Sequence, residues 1–338
     1  MDDSPPNPAS VSRPAPRHLL VLALAVALLA FAARVYDTEA LRPAAGGVRT
    51  PSPDAHYYLQ RTVDTYRTFP QVAAHDQRLS CPDGTAPPWP HGLNLVGAAL
   101  AHALLPADAP DAAIERLMAW LPPLVGALAC ALVAWFGVMW SGWPAGALAG
   151  VLAALMPIRV LNSAFAIVDH HVLGGLLPLL IIAGMLSGDR RPGRRSLAAL
   201  WRPDGYLFAA AVVGLGYATW TEMWLQHGLL LAAGLGWALF DPEGLQRRDH
   251  RLADLLRWTL LSSLAALPGV LTAPYSRAGL VAPHAPSRFT LWLLLALVCA
   301  AGSVLLAHGR WPARRSVAVA AAGGGGLLAL VLAGAVDP

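Results

Sequence analysis

An aspartate and two histidines stand together at the mouth of an apolar run in "SAFAIVDHHVLGGLLPLLIIAG", residues 163–184. Charge is expensive in such a place unless something uses it. Asp169 and His171 are separated by one residue, so in an extended loop both side chains leave the same side of the backbone and can share one ion. One carboxylate plus one imidazole is an incomplete shell, and a divalent cation needs at least one more oxygen. The segment "TPSPDAHYYLQRTVDTYRTFP" offers Asp54. Plainer alternatives exist: Asp169 as the N-cap of a helix starting near Val172, and Asp54, after Ser-Pro, as a turn residue. Glu222, at a Trp-rich helix end, is either a second acid or base or an interfacial glutamate. His75 and His91 are further shell candidates against the alternative of solvated loop histidines. Arg159, Arg277 and Arg288 are placed to meet a phosphate or to snorkel to an interface.

The elements that must position these groups are membrane helices. The chain has 338 residues, 56% hydrophobic and only 13% charged, the signature of a polytopic membrane protein. No lysine occurs, which excludes a P-loop phosphate lysine, a Schiff base and a lysine general base. The three cysteines lie far apart, so there is no disulfide framework and no metal-binding CxxC. Nothing matches a nucleic-acid-binding motif, and no nucleic-acid partner is expected.

Runs able to cross a bilayer of about 30 Å fall at 19–34, 117–140, 143–161, 172–188, 205–221, 223–240, 256–273, 288–307 and 316–336. The shorter run 91–105 contains Asn94 and His102. Reading it as an interfacial helix puts "SRPAPRH", "DRRPGRRSLAALWR", "QRRDHR" and "RWPARR" all on one side, as the positive-inside rule requires. The expected fold is therefore an all-α polytopic membrane protein of about nine transmembrane helices. Residues 1–18 form a disordered cytoplasmic N-terminus and 19–338 a transmembrane domain, with a retained first helix and a long outer loop, 36–116. Asp169 to His171 then face outward with Asp54.

"DAHYYLQR", then "FPQVAAHDQRLSCPDGTAPPWPHGLNL", then a helix pair and "NSAFAIVDHH" together resemble the catalytic subunit of oligosaccharyltransferase along roughly Asp54 to Trp224. In that family a first-loop aspartate stands in an Asp-x-Tyr-Tyr-like setting, matched by Asp54 to Tyr58. The second loop carries an acidic motif or Asp-His-His, matched by Asp169 to His171. Pro82 to Gly84 and Trp89-Pro90 lead into the helix outside the first crossing, and a "TW-G" signature has its counterpart in "ATWTEMW", residues 218–224. The resemblance implies a GT-C-like fold and an inverting glycosyltransferase at the outer face of a bacterial inner membrane. It further implies a polyprenyl-linked glycan donor and a polypeptide asparagine acceptor. A divalent metal would be held by Asp54, Asp169 and His171, with catalytic roles for Asp54, Asp169 and Glu222. Departure of the donor's phosphate builds negative charge that Mg²⁺ or Mn²⁺ stabilises. An imidazole ligand favours a borderline ion such as Mn²⁺ or Zn²⁺.

The chain departs from that pattern in places. Asn162 stands where the family has an arginine seven residues before the second-loop aspartate, and a glutamate after the histidines is replaced around Gly174. The family's fifth outer loop and its soluble C-terminal domain with the Trp-Trp-Asp signature have no counterpart in these residues, so a second chain supplying them is a further expected partner. The rival readings are a transporter or ion-binding membrane protein, for which ionisable groups should stand at helix midpoints rather than ends, and a non-catalytic partial subunit that binds the donor lipid.

Overall fold

The structure, a computed structural model, describes residues 16–36, 38–42, 47–187, 203–240, 245–279, 282 and 285–307. The expected ninth crossing, most of the N-terminal tail, His284 and the arginine-rich segments at 189–195 and 310–315 lie outside them. All regular structure among the described residues is helical. The helices are α1 (Pro16–Val35), α2 (Pro53–Thr68), α3 (Gly92–Leu104), α4 (Asp111–Ala119), α5 (Leu121–Ser141), α6 (Trp143–Leu155), α7 (Pro157–Leu161), α8 (His171–Ser187), α9 (Gly205–Thr219), α10 (Met223–Phe240), α11 (Leu245–Thr272), α12 (Pro274–Arg277) and α13 (Arg288–Ala307).

Among the described residues, three stretches are long and apolar enough to cross a membrane: Arg17–Val35, Asp111–Ser141 and Asp254–Thr272. Shorter apolar helices, Trp143–Leu155, His171–Ser187, Gly205–Thr219 and Arg288–Cys299, lie within the runs expected at 143–161, 172–188, 205–221 and 288–307 or overlap them. The run expected as one crossing over 143–161 is broken: α6 stops at Leu155, Met156 is extended, and Pro157 starts α7. Proline has no N–H to continue the ladder and pushes the preceding residue out of the helical region. Large side chains face outward along the bundle, among them Leu20, Leu24, Leu28, Leu128, Leu148, Leu152, Phe208 and Leu229. Such a belt is stable only against lipid or another apolar partner.

Among the described residues, three of the apolar clusters gather the helices. Val26, Ala30, Cys130, Ala134 and Ala154 join α1, α5 and α6. The α5–α6 hairpin turns at Gly142, φ 83°, and a Cβ at Gly137 would come within 2.7 Å of Gly146 Cα. Only small residues permit that backbone approach. Leu177, Ile181, Val213, Trp258, Val270 and Leu294 join α8, α9, α11 and α13. Tyr58, Leu59, Tyr66, Leu93, Ile114 and Met118 join α2, α3 and α4, the outer-loop helices.

Buried polar groups are used as ties. His227 in α10 is 1% exposed, with Tyr217 Oη 3.3 Å from Nδ1 and Ser262 Oγ 2.9 Å from Nε2. Ser262 donates its own hydroxyl to Thr259 O, so it accepts from Nε2–H, and Nδ1 accepts from Tyr217. One directional chain thus links α9, α10 and α11. Arg34 in α1 is equally buried. Its Nε donates to Ser163 Oγ at 2.7 Å, and its Nη1 to Ala30 O and Ala154 O.

Candidate metal centre

Each segment of the site is fixed by its neighbours. Phe165 N donates to Arg34 O and Ala166 N to Ala119 O, so the segment before Asp169 is stitched to α1 and to the end of α4. Ala166 adopts φ 69°, a left-handed conformation that costs a residue with a Cβ about 1 kcal/mol. The turn delivers Asp169 and His170 into the interior, 6% and 3% exposed. α8 begins at His171. The chain is therefore turning rather than extended there, the alternation expected from the sequence fails, and His170 goes inward while His171 stays exposed.

Ligand atoms of Asp169, His170 and His171 all lie within 4.8 Å of one another. Asp169 Oδ1 is 2.5 Å from His170 Nδ1, and Asp169 Oδ2 is 3.9 Å from His171 Nε2. The first contact is an ion pair off the hydrogen-bond line, which leaves Asp169 Oδ1 and His170 Nδ1 buried without a hydrogen-bond partner. On its far side His170 Nε2 meets Glu222 Oε2 at 3.6 Å and Thr221 Oγ1 at 3.4 Å, and Thr221 donates to Glu222 at 2.9 Å. The imidazole thus sits between two carboxylates. Burial opposes its charge, but Asp169 and Glu222 outweigh burial and raise its pKa to about 9. Burial pushes both carboxyls upward, and His170 more than offsets this. Asp169 ends below its ordinary value, and Glu222, helped by Thr221, falls to about 2.

The expected residues distribute as follows. Asp54 stands exposed in the first turn of α2, which Pro53 starts at N1; the segment expected as a loop is a helix. Asp54 is outside the three-residue cluster, yet one turn later on the same helix the fully buried Tyr58 joins the two segments. Its ring packs 5.5 Å from that of His170, and its hydroxyl feels the charges of Asp169, Asp54 and Glu222. Glu222 is brought to the cluster through His170. His75 and His91 are not: His75 Nε2 lies 3.0 Å from Asp83 O and His91 Nδ1 lies 2.6 Å from Arg61 Nη2. Arg159 lies alongside Gly175 of α8, Arg277 acts on His91, and Arg288 covers Gly279. His170, Thr221 and Tyr58 were not marked by spacing. The signal for Thr221 and Tyr58 was only their position beside Glu222 and one helical turn after Asp54.

The donor set fits a divalent cation. Asp169 Oδ2 and the exposed His171 Nε2, 3.9 Å apart, offer a carboxylate and an imidazole, a pairing that suits a borderline ion, while His170 stays paired with Asp169 Oδ1.

No protein-family profile and no curated protein sequence matches the chain. Solved structures do. One is an archaeal oligosaccharyltransferase, AglB from Archaeoglobus fulgidus, in complex with an inhibitory peptide and a dolichol-phosphate; it matches with TM-score 0.70 at 16% identity, over 95% of this chain and 39% of its own. The same organism's enzyme tethered to an acceptor peptide with an NVT sequon matches with TM-score 0.74 at 16% identity, over 94% and 38%. Its complex with Zn and sulfate matches with TM-score 0.70 at 17% identity, over 92% and 38%. The chain therefore has the fold of the oligosaccharyltransferase membrane part, as the sequence resemblance implied, and spans under two fifths of those proteins' length.

Proposed function

We propose that this chain is the membrane part of a metal-dependent, inverting glycosyltransferase that moves a glycan from a polyprenyl-(pyro)phosphate donor to a polypeptide asparagine. The observation that carries the reading is the Asp169–His170–His171 cluster, its first two residues buried and its third exposed, with Glu222 beside it, in a fold shared with proteins solved with zinc, a dolichol-phosphate and an acceptor peptide. Nine crossings, a cytoplasmic N-terminus and a site on the outer face of a bacterial inner membrane belong to the same proposal. So does acceptor recognition by a second chain or a further segment.

Asp169 and His171 would hold the cation, with Asp54, in the first turn of α2, as the further oxygen ligand this reading requires. A cation so held supplies charge stabilisation to the departing phosphate. His170 fixes the orientation of both neighbouring carboxylates. Glu222, ionised down to about pH 2, is too weak a base to remove an amide proton. Its part is to accept a hydrogen bond from the acceptor N–H and aim the nitrogen. The outward apolar helix faces accommodate the polyprenyl tail.

The test is lipid-linked glycan turnover by the purified chain, with any partner chain present, in Mn²⁺ and in EDTA, for wild type, Asp54→Ala and Asp169→Ala. Loss of turnover in EDTA and in both variants is expected. Turnover that survives all three conditions refutes the proposal.

A further inference from the structure

α2 buries a cation that the Asp169 cluster does not use. Arg61 is 2% exposed, and among the described residues no carboxylate pairs with it. Asp76, whose charge reaches it, is already engaged by Arg78 at 2.8 Å and by the Tyr57 hydroxyl at 3.0 Å. Arg61 Nη2 meets Ala73 O and His91 Nδ1. A guanidinium offers no acceptor, so His91 Nδ1 accepts and the ring proton sits on Nε2. That Nε2 is buried without a partner, as are Arg61 Nε, Arg61 Nη1 and the Tyr58 hydroxyl. Three adjoining side chains thus carry four unpartnered buried atoms, every one able to donate, around one positive charge.

A buried cation and unmatched donors are costly unless an anion joins them. The cluster borders the metal centre through Tyr58, which packs on His170. On its other flank His91 lies within reach of the exposed guanidinium of Arg277. We infer that Tyr58, Arg61 and His91 form a cradle for a phosphoryl oxyanion, with Arg277 at its approach. A phosphoryl group matches a donor-only set because it presents several acceptor oxygens and at least one negative charge. Its source is either the headgroup of a prenyl-phosphate lipid, which rests on the donor reading above, or free pyrophosphate.

The experiment measures inorganic pyrophosphate binding to the metal-free full chain in detergent, by calorimetry and by thermal stabilisation. Charge-assisted hydrogen bonds of the usual strength predict a loss of affinity of about 10- to 100-fold in Arg61→Met and a smaller loss in Tyr58→Phe. Without anion, Arg61→Met melts no lower than wild type, because it removes an uncompensated charge. Unchanged pyrophosphate affinity together with a lower melting temperature makes Arg61 a structural pin and overturns the inference. Should Arg61→Met fail to fold, Arg61→Lys and Tyr58→Phe decide by the same affinity readout. A short-chain prenyl phosphate that displaces pyrophosphate, where the prenyl alcohol does not, identifies a lipid headgroup; no displacement identifies the free anion. Pyrophosphate binding through Arg61, combined with turnover indifferent to Asp169→Ala, keeps the cradle and removes the metal reading. Mn²⁺ binding lost in Asp169→Ala, with pyrophosphate indifferent to Arg61, does the reverse.

Discussion

Replacing Glu222 by glutamine isolates one of the two carboxylates that hold His170. The ring's pKa rises from 6.5 to about 9, and at about 1.4 kcal/mol per pH unit the two carboxylates, net of the opposing burial, favour the protonated ring in the fold by about 3 kcal/mol. Asp169 is the close, buried partner at 2.5 Å; Glu222 is at 3.6 Å with 44% of its side chain exposed. Solvent screening therefore leaves Glu222 the smaller share, about 1 kcal/mol. Because the folded-state pKa is raised, this stabilisation is complete below pH 6.5 and disappears as pH climbs through about 9. The depressed pKa of Glu222, about 2, describes the same contact from its other partner, lost as pH falls below 4.5, and is not added. Metal-free wild type should exceed Glu222→Gln in unfolding free energy by about 1 kcal/mol near pH 6, and the gap should close by about pH 10. Denaturant unfolding in micelles across that range measures the gap, and ¹⁵N-histidine spectra follow the ring, whose midpoint should drop by somewhat under one pH unit. A gap independent of pH, or one that widens above pH 9, would show that Glu222 does not act through His170.

Gly92→Ala is expected to destabilise by about 1–3 kcal/mol, because the new Cβ collides with Ala218 O, a backbone atom that cannot swing aside; a melting temperature equal to wild type would show that α3 and α9 are less closely apposed. His227→Leu breaks the Tyr217–His227–Ser262 chain. At about 0.6 kcal/mol per intramembrane hydrogen bond the expected loss is about 1 kcal/mol, measurable by unfolding in micelles, and a gain in stability would contradict the network's role as a tie.

The helices were legible because long apolar runs with arginine-marked ends leave little choice, and the run 91–105 is a helix, α3, Gly92–Leu104. The break at Met156 was not read from the run 143–161, since composition does not say whether a proline bends a helix or ends it. Asp54 and Asp169 were both marked by residue type and order, and only Asp169 stands in the cluster of possible ligands. Which histidine turns inward was not, because that depends on where α8 begins: one residue of helix start reverses the facing of His170 and His171. Tyr58 and Thr221 escaped notice since their role arises from contacts across more than fifty residues, Thr221 with His170 and Tyr58 with the same ring. A buried, unpaired Arg61 was equally invisible, because sequence shows a charge but not its counter-ion.

Arg34 makes the first helix a measuring rod. Its guanidinium grips Ser163, and its carbonyl holds Phe165, four residues short of Asp169. A shift of α1 along the membrane normal is therefore carried directly to the cluster. Bilayers thinner or thicker than the helix prefers would tilt it, so acyl-chain length in reconstituted vesicles becomes a setting for the geometry of the Asp169 cluster without a single residue being changed.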